Sequence, residues 1–223
     1  MITPTLPLRL LTLLLSFLYF TTTVYGGDAV ILCYGDSLTA GFGVDAQEAY
    51  PARLQKRLQA EGFPHRVVNA GVSGDTTAGA LSRLGWAMRA KPTLAIVTLG
   101  ANDGLRGQSI TAMEENLEQI ILRLQKAGVQ ILLGGMKIPP NYGKEYTTAF
   151  AEVYPRLAKK HHLPLLPFFL AGVAGEPAYT LEDGIHPNAQ GYGLILETVW
   201  RGVLPLLNRE AAPSFLEDQH EKP

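Results

Sequence analysis

A single cysteine in 223 residues excludes any internal disulfide. Cys33 lies inside the first apolar run and reads as a small buried side chain. Charge is also scarce: 17% of residues are Asp, Glu, Lys or Arg, and the formal net charge is −1. Without a basic excess, neither nucleic acid nor an anionic membrane surface is an expected partner. Metal-ligand spacing is missing too. His161 and His162 are adjacent at a helix end, where neighbouring side chains do not face one another. There is no internal repeat, linker or sign of a second domain. With 47% hydrophobic residues, the composition is that of an ordinary globular domain with a substantial core.

The N-terminus lacks charge. Arg9 is the only charged side chain before Asp28. Residues 10–20 form an eleven-residue apolar stretch, which suits a signal segment and is short for a spanning helix. Val24 and Gly26 are small enough for a cleavage site. Residues 1–26 are therefore expected to be a secretory signal, with a retained anchor as the alternative. Its removal leaves 18 basic and 20 acidic residues and no stable membrane partner. Export to the periplasm or the medium follows. The folded domain is expected over residues 27–210. Residues 211–223 are polar, contain Pro213 and are expected to be a disordered tail.

Between these ends the pattern alternates. Short apolar, strand-like runs occupy 29–34, 67–70, 94–99, 131–135 and 163–169. Helix-like stretches occupy 46–61, 77–89, 111–127, 145–161 and 188–207. Tyr50, Leu54 and Leu58 keep helical spacing on one face. Continuous apolar strands separated by helices predict a five-stranded parallel sheet covered on both faces. Right-handed crossovers then give an α/β fold, a three-layer α/β/α sandwich.

Chemistry-bearing residues fall in the loops after the strands. Gly35-Asp36-Ser37-Leu38 follows the first run. Gly71-Val72-Ser73-Gly74-Asp75 follows the second, and Gly100-Ala101-Asn102-Asp103 the third. Asp183-Gly184-Ile185-His186 comes after the fifth. In such a sheet these loops share one edge, where ligands bind. A serine hydroxyl needs a base, and His186 is the candidate for Ser37. Asp183, three residues earlier, can fix the imidazole tautomer and stabilise the imidazolium. A tetrahedral oxyanion needs donors. The backbone N–H groups of Ser37 and Gly74 and the side-chain amide of Asn102 are available. Glycine at 74 is expected to let its N–H approach without a Cβ clash. Ser73 sits in an imperfect Gly-x-Ser-x-Gly pattern, since position 75 is Asp, and is set aside as nucleophile. Asp36 and Asp103 are expected to hold loops rather than react.

On these residues the chain resembles the SGNH (GDSL) hydrolases. The four signature residues of that family fall on Ser37, Gly74, Asn102 and His186, with its aspartate at Asp183. Segments 35–41, 74–76, 99–107 and 183–188, and Pro140-Asn141-Tyr142-Gly143, resemble the bacterial secreted branch. That branch holds multifunctional thioesterase–lysophospholipases and arylesterases. The resemblance spans residues 28–207. It implies a flavodoxin-like fold, no metal, no cofactor, and hydrolysis of small acyl esters and thioesters of short to medium chain length.

Substrate contacts are less legible. Met136, Ile138, Pro139 and Tyr142, after the fourth strand, are candidates for the wall of an acyl groove. Arg106 is a candidate for contact with a phosphate-bearing leaving group, or a solvated surface residue. No lid-like insertion separates the motifs, so the site is expected to be shallow and open. Two other readings compete. One is a carbohydrate O-acetylesterase with the same triad. The other is a non-catalytic flavodoxin-like binding module, which predicts an incomplete triad.

Overall fold

The computed structural model describes residues 29–210. The expected signal segment and C-terminal tail lie outside the described residues. Five strands form one parallel sheet: β1 (Val30–Gly35), β2 (Arg66–Gly71), β3 (Leu94–Thr98), β4 (Gln130–Gly134) and β5 (Leu165–Leu166). Their spatial order is β2-β1-β3-β4-β5. Every pairing is parallel, with Leu32 opposite Val68 and Ala95, and Val97 opposite Leu133.

The chain runs from β1 outward to β2, then crosses back to β3 on the other side of β1. The loops after β1 and β3 therefore diverge, leaving a crevice at the sheet's carboxyl edge. All residues of β1 and β3 are buried, as central strands covered on both faces require. The edge strand β2 is only partly covered.

Helices α2 (Tyr50–Ala60) and α7 (Ala189–Glu210) cover one face. Helices α3 (Thr77–Ala87), α5 (Ile110–Lys126) and α6 (Lys144–Lys160) cover the other. Two short helices open directly after strands: α1 (Ser37–Ala40) after β1 and α4 (Ala101–Leu105) after β3. The apolar stripes account for the packing. Tyr50, Leu54 and Leu58 are fully buried, each large aliphatic contributing about 1.5–3 kcal/mol of transfer free energy.

Two expected elements differ most from the observed ones. The helix anticipated over 46–61 starts at Tyr50. Pro51 sits in its first turn, where no backbone donor is needed, and the residues before it form turns. The strand anticipated over 163–169 is two residues long. Pro164 and Pro167 flank it and lack the N–H that would extend the ladder.

Candidate active site

The turn that carries Ser37 is held from several directions. Asp36 caps α1, its Oδ1 accepting from the Leu38 N–H at 3.0 Å. The Thr39 hydroxyl meets that of Thr98 on β3 at 2.7 Å. Tyr192 of α7 donates its hydroxyl to the Leu38 carbonyl at 3.0 Å. Gly35 is required by close approach, since a Cβ there would lie 2.1 Å from the Thr39 hydroxyl. Ser37 ends up on the first turn of a short helix, 8% exposed at the crevice.

The histidine arrives on a closed loop. Thr180 and Pro187 form an isolated bridge, and the Leu181 N–H donates to the His186 carbonyl at 2.8 Å. Asn188 caps α7 by accepting from the Gln190 and Gly191 N–H groups, both at 3.0 Å. Within this loop Asp183 Oδ1 accepts the N–H groups of Ile185 and His186, both at 2.9 Å. Its Oδ2 meets His186 Nδ1 at 2.6 Å, and His186 Nε2 meets Ser37 Oγ at 2.9 Å. Serine, imidazole and carboxylate thus form one continuous chain of hydrogen bonds. Partial burial alone would push the Asp183 carboxyl up; the three hydrogen bonds outweigh it and hold the carboxyl below its usual range. An ionised acceptor fixes Nδ1 as the donor, leaving Nε2 to accept from the serine hydroxyl.

The expected oxyanion donors occupy neighbouring loops. Gly74 sits in the turn closed by the Asp75 N–H to Val72 carbonyl bond of 3.1 Å, with φ +79°. The reason for glycine there differs from the expectation. A Cβ would meet only Arg106 Nη2 at 3.5 Å, so crowding is not the constraint; the left-handed backbone is. Asn102, on α4, donates its amide to the Asp75 carbonyl at 3.0 Å and lies 3.5 Å from Asp36 Oδ2.

Beside Ser37 opens a cleft of about 520 Å³. Met136, Ile138 and Pro139, three of the groove-wall candidates, line it. Tyr142 and Arg106 lie outside that lining. Tyr142 donates to the Leu105 carbonyl at 2.8 Å, and exposed Arg106 donates to the Gly74 carbonyl at 2.9 Å. Both steady loops at the rim. Phe168, Leu170 and Leu105 line the cleft too and were missed. Phe168 falls in the run expected as the fifth strand; the flanking Pro167 is the signal that it lies beyond it. Phe42 was missed as well: half exposed, its ring packs on the His186 imidazole at 4.5 Å.

Asp36 and Asp103 act as loop anchors, as expected. Asp103 accepts from the Thr77 N–H at 2.9 Å and the Thr77 hydroxyl at 2.6 Å. Asp36 is fully buried, and burial pushes its carboxyl up to about 7; the Leu38 N–H opposes that, while nearby Asp75 and Asp103 add to it. An unfolded aspartate titrates near ~3.9. The native state thus holds this proton more tightly than the unfolded chain. The associated stability is full below about pH 4 and is lost as pH rises through about 7. An Asp36→Asn variant keeps the cap acceptor and removes the titration. Its melting temperature relative to the wild type should rise between pH 4.5 and pH 8, by the equivalent of a few kcal/mol at most. Any packing penalty of the amide is independent of pH and cancels in that comparison. A constant difference across the window would show that Asp36 does not titrate there.

The GDSL-like lipase/acylhydrolase family model matches residues 33–194. The chain belongs to this family. Esterase TesA of Pseudomonas aeruginosa is 43% identical over 178 residues, covering 79% of this chain and 89% of that protein. Thioesterase 1/protease 1/lysophospholipase L1 of Escherichia coli K12 is 38% identical over 200 residues, covering 88% and 95%. The crystal structure of the psychrotrophic esterase EstA from Pseudoalteromonas, inhibited by monoethylphosphonate, superposes with a TM-score of 0.77. It is 34% identical and covers 81% of this chain and all of that one. Among GDSL hydrolases, then, this chain is similar to esterases and thioesterases over nearly the whole described domain, and the expected α/β fold holds.

Proposed function

We propose that the protein is a serine esterase that cleaves small carboxylic esters and thioesters through an acyl-enzyme. The hydrogen-bonded chain Ser37–His186–Asp183 at the mouth of an apolar cleft carries this reading. Ser37 Oγ attacks the acyl carbonyl carbon while its proton passes to His186 Nε2. Asp183 stabilises the imidazolium through Nδ1. The oxyanion is received by the Ser37 and Gly74 N–H groups and the Asn102 amide. Collapse breaks the bond to the leaving alcohol or thiol, which takes the proton back from Nε2. Water, deprotonated by His186, then releases the acid. No cofactor or metal enters these steps.

The lining of the cleft favours an aliphatic acyl chain over a sugar. Met136, Ile138, Leu105, Phe168 and Leu170 offer no hydroxyl-binding pattern. The relatives named above, an esterase and a thioesterase–lysophospholipase, support the same class. Export is proposed from the charge-poor N-terminal segment with its short apolar stretch. Among the described residues, no helix is long and apolar enough to cross a membrane.

A panel of p-nitrophenyl esters of increasing acyl length, an acyl thioester and acetylated xylan tests the proposal. Short to medium acyl esters and the thioester should be turned over, with the xylan slowest. Preference for acetylated xylan would replace this reading with a carbohydrate O-acetylesterase. No turnover of any substrate would remove the enzymatic reading.

A further inference from the structure

Arg83 lies on α3, away from the cleft lining, yet its guanidinium ends beneath the catalytic loops. The side chain is 18% exposed and spreads its donors in three directions. Nε meets Asp75 Oδ2 at 2.6 Å, in an ion pair whose carboxylate side is 9% exposed. Nη1 donates to the Ala70 carbonyl at 2.9 Å, and Nη2 donates to the Gly35 carbonyl at 2.9 Å. Its Cζ lies over the Tyr34 ring, 4.5 Å from the centroid.

These partners are not scattered. Gly35 and Ala70 belong to neighbouring strands, near the carboxyl ends of β1 and β2. Gly35 leads into Asp36 and Ser37. Asp75 directly follows Gly74, and the Asp75 carbonyl receives the Asn102 amide at 3.0 Å. One guanidinium therefore ties together the segments that carry Ser37 and Gly74, and reaches the third expected donor, Asn102, through the Asp75 residue it holds. Only arginine presents several N–H donors in a rigid plane; a lysine ammonium cannot keep this fork.

We propose that Arg83 is a positioning residue that sets the spacing of the Ser37 N–H, the Gly74 N–H and the Asn102 amide. It touches no reacting atom and acts through the loops it joins. The inference rests on the assignment of those three groups as oxyanion donors. Donors misplaced by a fraction of an ångström fail in the transition state while ground-state binding in the apolar cleft persists.

The test is a double-variant cycle on the full chain, built from Arg83→Lys and Asn102→Ala, with kcat, KM and melting temperature read on each protein. Arg83→Lys keeps the charge beside Asp75 and loses the fork. Its kcat should fall about 10- to 100-fold with KM within about 3-fold. In the Asn102→Ala background the same change should cost much less, because the donor geometry it disturbs is already incomplete. A folded Arg83→Lys protein with kcat within about 2-fold of the wild type would overturn the proposal. So would a loss that multiplies fully with that of Asn102→Ala and follows melting temperature alone, since that marks a purely structural arginine. If Arg83→Lys fails to fold, Asp75→Asn weakens the Nε arm and also removes a charge near Asp36: a kcat loss of the same size at pH 5.5 and pH 8.5, with KM unchanged, supports the proposal, and an unchanged kcat, or a loss that appears only at one pH, overturns it. A near-normal kcat in Asn102→Ala alone would instead strike at the assignment of the donors, so the two failures are distinguishable.

Discussion

Ser37→Ala should abolish turnover and leave a folded protein. Ser37 Oγ is hydrogen-bonded to His186 Nε2 at 2.9 Å, and His186 is bonded onward to Asp183. Without the hydroxyl no acyl-enzyme forms, and loss of a triad nucleophile costs on the order of 10⁴- to 10⁶-fold in kcat. The fold has little reason to fail. Asp36 still caps α1, Tyr192 still holds the Leu38 carbonyl, and the imidazole keeps its carboxylate. The hydrogen bond to Oγ is worth about 1 kcal/mol, so melting temperature should drop by only a few degrees. An organophosphonate should label the wild-type serine and leave the variant untouched, monitored by intact mass. A variant that keeps a tenth of wild-type activity would remove Ser37 as nucleophile.

Much of this site is legible in the sequence because its parts are local. Asp183 and His186 are three residues apart, and a single turn brings them together. Each of the other motifs follows an apolar run, and a parallel sheet gathers such loops at one edge whatever the intervening helices contain. Meeting of Ser37 and His186 across the sheet is a different matter. It depends on the strand order and on a bridge between Thr180 and Pro187 that has no periodic signal. The same holds for the cleft. One of its walls comes from the irregular chain after β5, where Phe168 and Leu170 look like an extension of an apolar strand. At Gly74 the sequence points to a glycine requirement, but a positive φ cannot be told from crowding without the backbone. Arg83 left a faint trace. It sits three residues after Ala80 and four before Ala87, both buried, so a charge falls on an otherwise apolar stripe. Such a residue must find acceptors, and here they are the ends of two strands and Asp75.

Asn102→Ala should lower kcat far more than it alters KM. The amide has two N–H groups. One is engaged by the Asp75 carbonyl at 3.0 Å; the other has only a long contact, 3.5 Å to Asp36 Oδ2, at the mouth of the cleft. A substrate oxygen that gains charge offers that second donor a better acceptor than the ground-state carbonyl does. The interaction thus strengthens as the tetrahedral intermediate forms, which supports kcat rather than binding. Removing one such donor costs about 10²- to 10³-fold, or ~2.7–4 kcal/mol of transition-state stabilisation. The tether to Asp75 is lost in the same variant and should lower stability by about 1 kcal/mol. These two consequences separate cleanly, because kinetics and thermal unfolding can be read on one preparation at one pH. Folded enzyme with kcat down by two orders or more, KM within a few-fold and a modest drop in melting temperature is the expected result. If kcat stays near normal while the protein melts earlier, the amide serves the Asp75 tether alone, and the oxyanion is left to the backbone N–H groups of Ser37 and Gly74.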